Sequence, residues 1–198
     1  MNDNKLLYKK MGIEELVVFS QKDDFRALES LIKKIQHDVF ATISFLTPNN
    51  EYISDITQEV LLKVAKNIHS LKNPKCFKGW LNQIITHSYY DEMRKQKRIP
   101  EMISIDCGYE DLNFKLNIDI PDKKSKPFEK CVTSECEKII KAEIQKLPET
   151  FKIAIILREL QGLTYDEIAH MTHSSIGTVK SRISRARIKL QENLKNYI

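Results

Sequence analysis

The stretch "LTYDEIAHMTHSSIGTVKSRISRARIKL", Leu163 to Leu190, decides how the rest of the chain is read. Thr164 and Glu167 have the spacing of a capping box, in which a hydroxyl and a carboxylate satisfy backbone N–H groups at a helix start. They predict a short helix to about Met171, with Ile168 and Ala169 facing inward. Ser174 or Ser175 then offers the N-cap of a second helix. In that helix Ile176, Val179, Ile183, Ala186, Leu190 and Leu194 recur every three or four residues and define one apolar face. Lys180, Ser181, Arg182, Ser184, Arg185 and Arg187 fall mostly outside that face. Two such helices, the second basic and carrying small polar residues, predict a helix-turn-helix. No acidic residue occurs from Ser175 to Gln191. A merely solvated helix mixes signs and forms ion pairs along itself, so this face points to a polyanion.

Working outward, the whole chain has 198 residues, 41% hydrophobic and 30% charged, with a formal net charge of +5. That is ordinary globular composition. Gly and Pro are few and helical spacing recurs, which predicts an all-α protein. Ile32, Ile35, Val39, Ile43 and Leu46 mark one helix, broken by "TPNN" at Thr47 to Asn50. A second is expected from Ser54, with Ile56, Val60, Val64 and Ile68 on its inner face. Pro74 breaks the pattern, and a third helix is expected from about Phe77 to Lys97. Periodicity is then lost through an acidic stretch holding Pro121 and Pro127, and returns from about Ser134. The expected architecture is therefore two small helical domains, 12–99 and 134–198, joined by a flexible linker at 100–133.

Charge placement supports two contacts with one polyanion. Arg94, Lys95, Lys97 and Arg98 form a cluster well separated from the basic C-terminal helix. The N-terminal "MNDNKLLYKKMGIEELVVF" has no long apolar core and no small-residue cleavage site, so a cytoplasmic protein without membrane insertion is expected. Cys76, Cys107, Cys131 and Cys136 are scattered, and are expected to be reduced and half-buried. Cys131 and Cys136 with His170 and His173 fit no zinc-ligand spacing. No metal, cofactor or catalytic constellation is expected, which sets aside a nuclease.

"LTYDEIA" followed by "GTVKSRISRAR", with "LPETFKIAIILRELQGL" before it, closely resembles the last block of bacterial sigma factors of the extracytoplasmic-function (ECF) group. In the N-terminal half "DITQEV" resembles the "DxxQEV" signature of sigma region 2, and "CFKGWL" its "FRAWL" block. The resemblance implies a subunit that directs RNA polymerase to promoters. It makes 12–99 the region 2 domain and 134–198 the region 4 domain. Asp55, Gln58 and Glu59, which share one helix face, would dock on the clamp helices of the largest polymerase subunit, and region 4 on the flap of the second-largest. Lys72, Asn73 and Lys75 belong to the loop that captures a base flipped from the minus-ten element, and Arg94, Lys95, Lys97 and Arg98 would hold the backbone near the melting point. Lys180, Ser181, Ser184 and Arg185 would face base edges of the minus-thirty-five element, with Thr178, Arg182 and Arg187 on phosphates. An anti-sigma partner is implied as well.

The chain departs from the family's pattern at His173, where a turn glycine is usual, and at Thr86, His87 and Ala65. Phe77 and Trp80 are expected in the core, and Asp91 in a structural role. The alternative is a stand-alone helix-turn-helix regulator, which leaves "DITQEV" and "CFKGWL" without a purpose.

Overall fold

The computed structural model describes residues 8–48, 51–98 and 127–197, without the side chains of 96–98, 127–134 and 196. Among the described residues every regular element is helical, as expected.

Helix α1 spans Ile13–Ser20 and α2 spans Phe25–Leu46. The Asp24 side chain starts α2 by accepting from the backbone N–H groups of Arg26 and Ala27, at 3.0 and 3.2 Å. Ala27, Leu31, Ile35, Val39, Ile43 and Leu46 then form its buried stripe, spaced by threes and fours. Leu31 takes the core position expected of Ile32, which is only half-buried. Helix α3 spans Glu51–Asn67 and so begins before the expected Ser54, whereas Ile56, Val60, Val64 and the following Ile68 are buried as expected. Pro74 opens a 3₁₀ turn at Pro74–Cys76, where its missing N–H costs nothing, and α4 follows at Phe77–Arg98. The Gln21 side chain stitches the end of α1 to this corner, donating to the carbonyls of Ile68 and Leu71 at 2.9 and 2.6 Å.

The C-terminal half starts earlier than expected. Helix α5 spans Pro127–Gln145, so its first turns lie within the stretch assigned to the linker; residues 99–126 lie outside the described ones. Helix α6, Glu149–Ile155, passes into a π-helical turn at Ile156–Leu160. From Lys152 to Leu157 every residue is buried. A helix buried all round must be packed on both sides. One side is α8, Ile176–Leu194, and the other is α2 of the N-terminal half, which touches both the π-turn and α5. Gly162, at φ 64°, ends the π-turn in the left-handed region open to glycine, and α7 follows at Tyr165–Met171.

Candidate nucleic-acid and partner interface

The helix-turn-helix forms as the spacing predicts. Thr164 accepts from the Glu167 N–H at 3.2 Å while the Glu167 carboxylate accepts from the Thr164 N–H at 2.8 Å, closing the capping box. Between α7 and α8, His173 has φ 48°, so the left-handed turn is kept without glycine. Ser175 is the N-cap of α8, accepting from the Thr178 N–H at 3.1 Å. Val179, Ile183 and Ala186 are buried beneath the helix. Ile176, expected on that face, is instead 42% exposed in the first turn, where the helix has not yet reached the core.

The outward face of α8 carries Lys180, Ser181, Ser184, Arg185 and Arg187, all exposed. The domain tethers several of them. The Lys180 ammonium lies 5.9 Å from the Tyr165 ring centre. The half-buried Arg182 donates to the Ser174 hydroxyl at 2.8 Å. Arg187 donates twice to one Glu159 oxygen, at 3.1 and 2.5 Å, and that bond raises its pKa above the usual guanidinium value. The half-buried Thr178 shares its hydroxyl with Ser175 at 2.9 Å. The Ser181 hydroxyl donates to the Thr178 carbonyl at 2.9 Å.

On α3, Asp55 and Gln58 are exposed, and Glu59 is half-buried and paired with Lys63 at 2.6 Å. Lys63 in turn donates to the Ser88 hydroxyl at 3.0 Å, which ties this face to α4. Leu62, which the sequence reading passed over, is 58% exposed. It lies seven residues from Asp55 and three from Glu59, in line with both. The signal for it was available, since Leu62 falls outside the spacing of the buried stripe.

The corner before α4 exposes Lys72 and Lys75. Asn73 is also exposed, but its side-chain oxygen accepts from the Lys75 N–H at 3.1 Å, so it shapes the turn as well as bordering it. Phe77 is buried and Trp80 half-buried, with ring centres 5.9 Å apart, as expected of core aromatics. Further along α4, Arg94 and Lys95 are exposed and pair with Asp91 and Glu92 at 3.2 and 3.4 Å. Asp91 therefore orients Arg94. The side chains of Lys97 and Arg98 lie outside the described residues. Burial pushes the Tyr89 phenol on the inner side of α4 up to about 12.

Cys76 and Cys136 are exposed, not half-buried, while Cys107 and the Cys131 side chain lie outside the described residues. No cluster of potential metal ligands and no helix long and apolar enough to cross a membrane occurs among the described residues.

A family model described as sigma-70 region 2 matches residues 31–99, and one described as sigma-70, region 4 matches residues 137–190. An ECF RNA polymerase sigma-E factor of Haemophilus influenzae is 31% identical over 185 residues, covering 91% of this chain and 94% of the relative. The protein of the same name from Escherichia coli is 32% identical, covering 92% of this chain and 94% of that one. Among solved structures, the sigma factor RpoE of Bartonella quintana, in complex with the anti-sigma factor NepR, superposes with a TM-score of 0.61 at 25% identity, covering 84% of this chain and 96% of that one. CnrH, in complex with the cytosolic domain of CnrY, shares the fold at a TM-score of 0.62 and 19% identity, covering 93% of this chain and 97% of that one.

A basic helix-turn-helix carried beside a second helical domain defines a two-domain transcription initiation factor. The chain belongs to the ECF family of RNA polymerase sigma factors and directs transcription initiation. Sigma factors are non-catalytic DNA-binding subunits, and this family membership disfavours a stand-alone regulator.

Proposed function

We propose that the two domains, bounded near 12–99 and 134–198, divide the work of initiation between a polymerase-docking face and two DNA-contacting surfaces. Asp55, Gln58 and Glu59, with Leu62 as their apolar neighbour, meet the clamp helices of the largest core subunit in the cytoplasm. Lys72, Asn73 and Lys75 border the pocket for a flipped base of the minus-ten element, and Arg94, Lys95, Lys97 and Arg98 follow the adjoining backbone. Lys180, Ser181, Ser184 and Arg185 read the minus-thirty-five element, while Thr178, Arg182 and Arg187 set its register on phosphates. The flap of the second-largest subunit meets the C-terminal domain. An anti-sigma protein, as NepR is in the complex of the similar Bartonella quintana protein, would compete for these surfaces.

The observation that carries the reading is the outward face of α8, which is free of acidic residues as far as Gln191 and exposes Lys180, Ser181, Ser184 and Arg185 side by side. In vitro transcription tests it, with purified chain, core polymerase lacking any sigma factor, and fragments of the chain's own upstream region. Specific initiation that needs both proteins is expected. Loss of initiation together with loss of core binding would overturn the reading. Changing Gln58 and Glu59 together to Ala should weaken core binding while the helical signal stays intact; unchanged affinity removes that face from the interface.

A further inference from the structure

The outer face of the first half of α2 belongs to none of the surfaces described above. Arg26, Glu29, Ser30, Lys33 and Lys34 recur along it at helical spacing, beside the buried stripe of Ala27, Leu31 and Ile35. The segment 8–11 is fastened to this helix at both ends. The Tyr8 hydroxyl donates to the Asp24 carboxylate at 2.6 Å, and the Lys34 ammonium donates to the Met11 carbonyl. Segment and helix leave between them a cavity of about 620 Å³, lined by Tyr8 and Lys9 from the one and by the outer face of α2 from the other. That is the volume of a small-ligand site.

The charge of the lining is one-sided. Among the described residues it holds four cations, Lys9, Arg26, Lys33 and Lys34, and one carboxylate, Glu29, which pairs with Lys33 one turn on. Lys9 and Arg26 are exposed, and neither makes a side-chain hydrogen bond or an ion pair among the described residues; nor does the half-buried Ser30 hydroxyl make a hydrogen bond there. Arg26 also stands in the first turn of α2, where the helix dipole disfavours a cation and no acidic residue of that turn offsets it. The nearby Asp24 is committed to the helix cap and to Tyr8. The helix end is therefore closed, and what remains open to an anion is the set of side chains. A solvated helix face usually balances its signs along itself. Here like charges converge on one concavity from two parts of the chain, a local conflict of the kind that marks a functional site.

The groups present select the ligand. A guanidinium offers a planar fork to phosphate oxygens, and ammonium groups offer compact point charges. Several cations around one cavity match several linked phosphates better than one. The Tyr8 ring and the lysine stems supply an apolar wall, and Ser30 a hydroxyl that can donate or accept. A nucleic-acid strand is held by successive stacking aromatics, whereas among the described residues this lining has one ring, that of Tyr8.

We propose that this cavity binds a small anion built of linked phosphates, either a nucleoside triphosphate or a free polyphosphate, through Lys9, Arg26 and Lys34. Bound there, the anion ties the segment 8–11 to α2 and relieves the repulsion among these cations. None of the three residues belongs to the polymerase-docking or DNA-contacting faces proposed above, so the site stands or falls separately from them.

Isothermal titration of the free full-length chain with ATP, and separately with tripolyphosphate, in buffer without divalent cations tests this. Saturable one-to-one binding is expected. Changing Lys9 and Arg26 together to Gln should weaken it about tenfold or more, since each loses a charge-assisted contact with phosphate. Changing Lys66 and Lys138 together to Gln removes the same charge from exposed positions elsewhere and should leave it unchanged. Glu29→Gln removes the carboxylate from the lining, frees Lys33 and should tighten binding several-fold, a gain that a damaged fold cannot imitate. ATP bound more tightly than tripolyphosphate assigns the nucleotide, and equal binding assigns the free phosphate chain. Saturable binding of neither probe overturns the site. So does binding that the Lys66 and Lys138 pair, or Arg185→Gln on α8, weakens as much as the Lys9 and Arg26 pair does, because that is general attraction of anions to a basic chain. A single-stranded oligonucleotide that depends on Lys9 and Arg26, when neither small probe does, would make the face a nucleic-acid track and overturn the site as well.

Discussion

Helices α3 and α8 are built alike on the inside and differently on the outside. Each buries a stripe spaced by threes and fours, Ile53, Ile56, Val60 and Val64 in one and Val179, Ile183 and Ala186 in the other. The outward face of α3 mixes signs and pairs Glu59 with Lys63 one turn away. As far as Gln191 the outward face of α8 has a single sign and cannot neutralise itself, Glu192 coming only in the last turn. Its cations borrow partners from elsewhere in the domain: Arg182 from Ser174, Arg187 from Glu159, and Lys180 from the Tyr165 ring. On the proposed roles, the protein-docking face balances its charge locally, whereas the DNA-contacting face depends on the surrounding fold to hold its side chains in place.

The sharpest way to break this contrast is from beneath. Ile183→Ala opens a cavity under the middle of α8 and should cost about 2–5 kcal/mol, seen as a lower denaturation midpoint. Because α8 depends on its domain, DNA binding should fall with stability, whereas binding of core polymerase through α3 should survive; equal loss of both would erase the distinction. Arg185→Ala leaves the fold intact and should relax preference at one position of the upstream element by about 1–3 kcal/mol, measured by competition among single-base variants. A uniform loss across sequences would make Arg185 a phosphate contact instead.

Smaller changes sharpen the contrast. Thr164→Ala removes half of a capping box and should cost about 1 kcal/mol. Amide exchange should then rise throughout the short α7, since one turn lost from a seven-residue helix leaves little to hold. Asp24→Ala removes the cap of the 22-residue α2, and faster exchange should stay within its first turn. Smallest of all, His173→Gly relieves a left-handed non-glycine residue but loosens the unfolded chain, for a net gain below about 1 kcal/mol in thermal unfolding. A loss would mean that the His173 side chain contributes more than its backbone costs.

Much of the fold was legible because it is written in local spacing. The capping box at Thr164, the Ser175 cap and the stripe under α8 each need only neighbours within a few residues, while the left-handed turn at His173 was expected only from the family resemblance. What could not be read depends on distance along the chain. Glu159 and Arg187 are 28 residues apart, and nothing in the pattern of either announces the pair. Gln161 and Thr42 are 119 apart, and a glutamine after a helix looks like any solvated loop residue. The early start of α5 was hidden by Pro127, which reads as a breaker but is equally suited to the first position of a helix. Asn73 was read as one more polar loop residue, and only the geometry reveals that its oxygen is committed to the turn.

The Glu159–Arg187 pair has a consequence for salt. Each protein cation that lands on a phosphate ordinarily sets free a counterion condensed on the duplex, and the steepness of binding against ionic strength counts such events. An arginine that leaves a carboxylate for a phosphate also uncovers a negative charge, which gathers a cation from solution. In that ledger of ions Arg187 nearly cancels itself. If Arg187 lands on a phosphate as proposed, the salt slope of promoter binding should fall short of the count of phosphate contacts, and Glu159→Gln should steepen it.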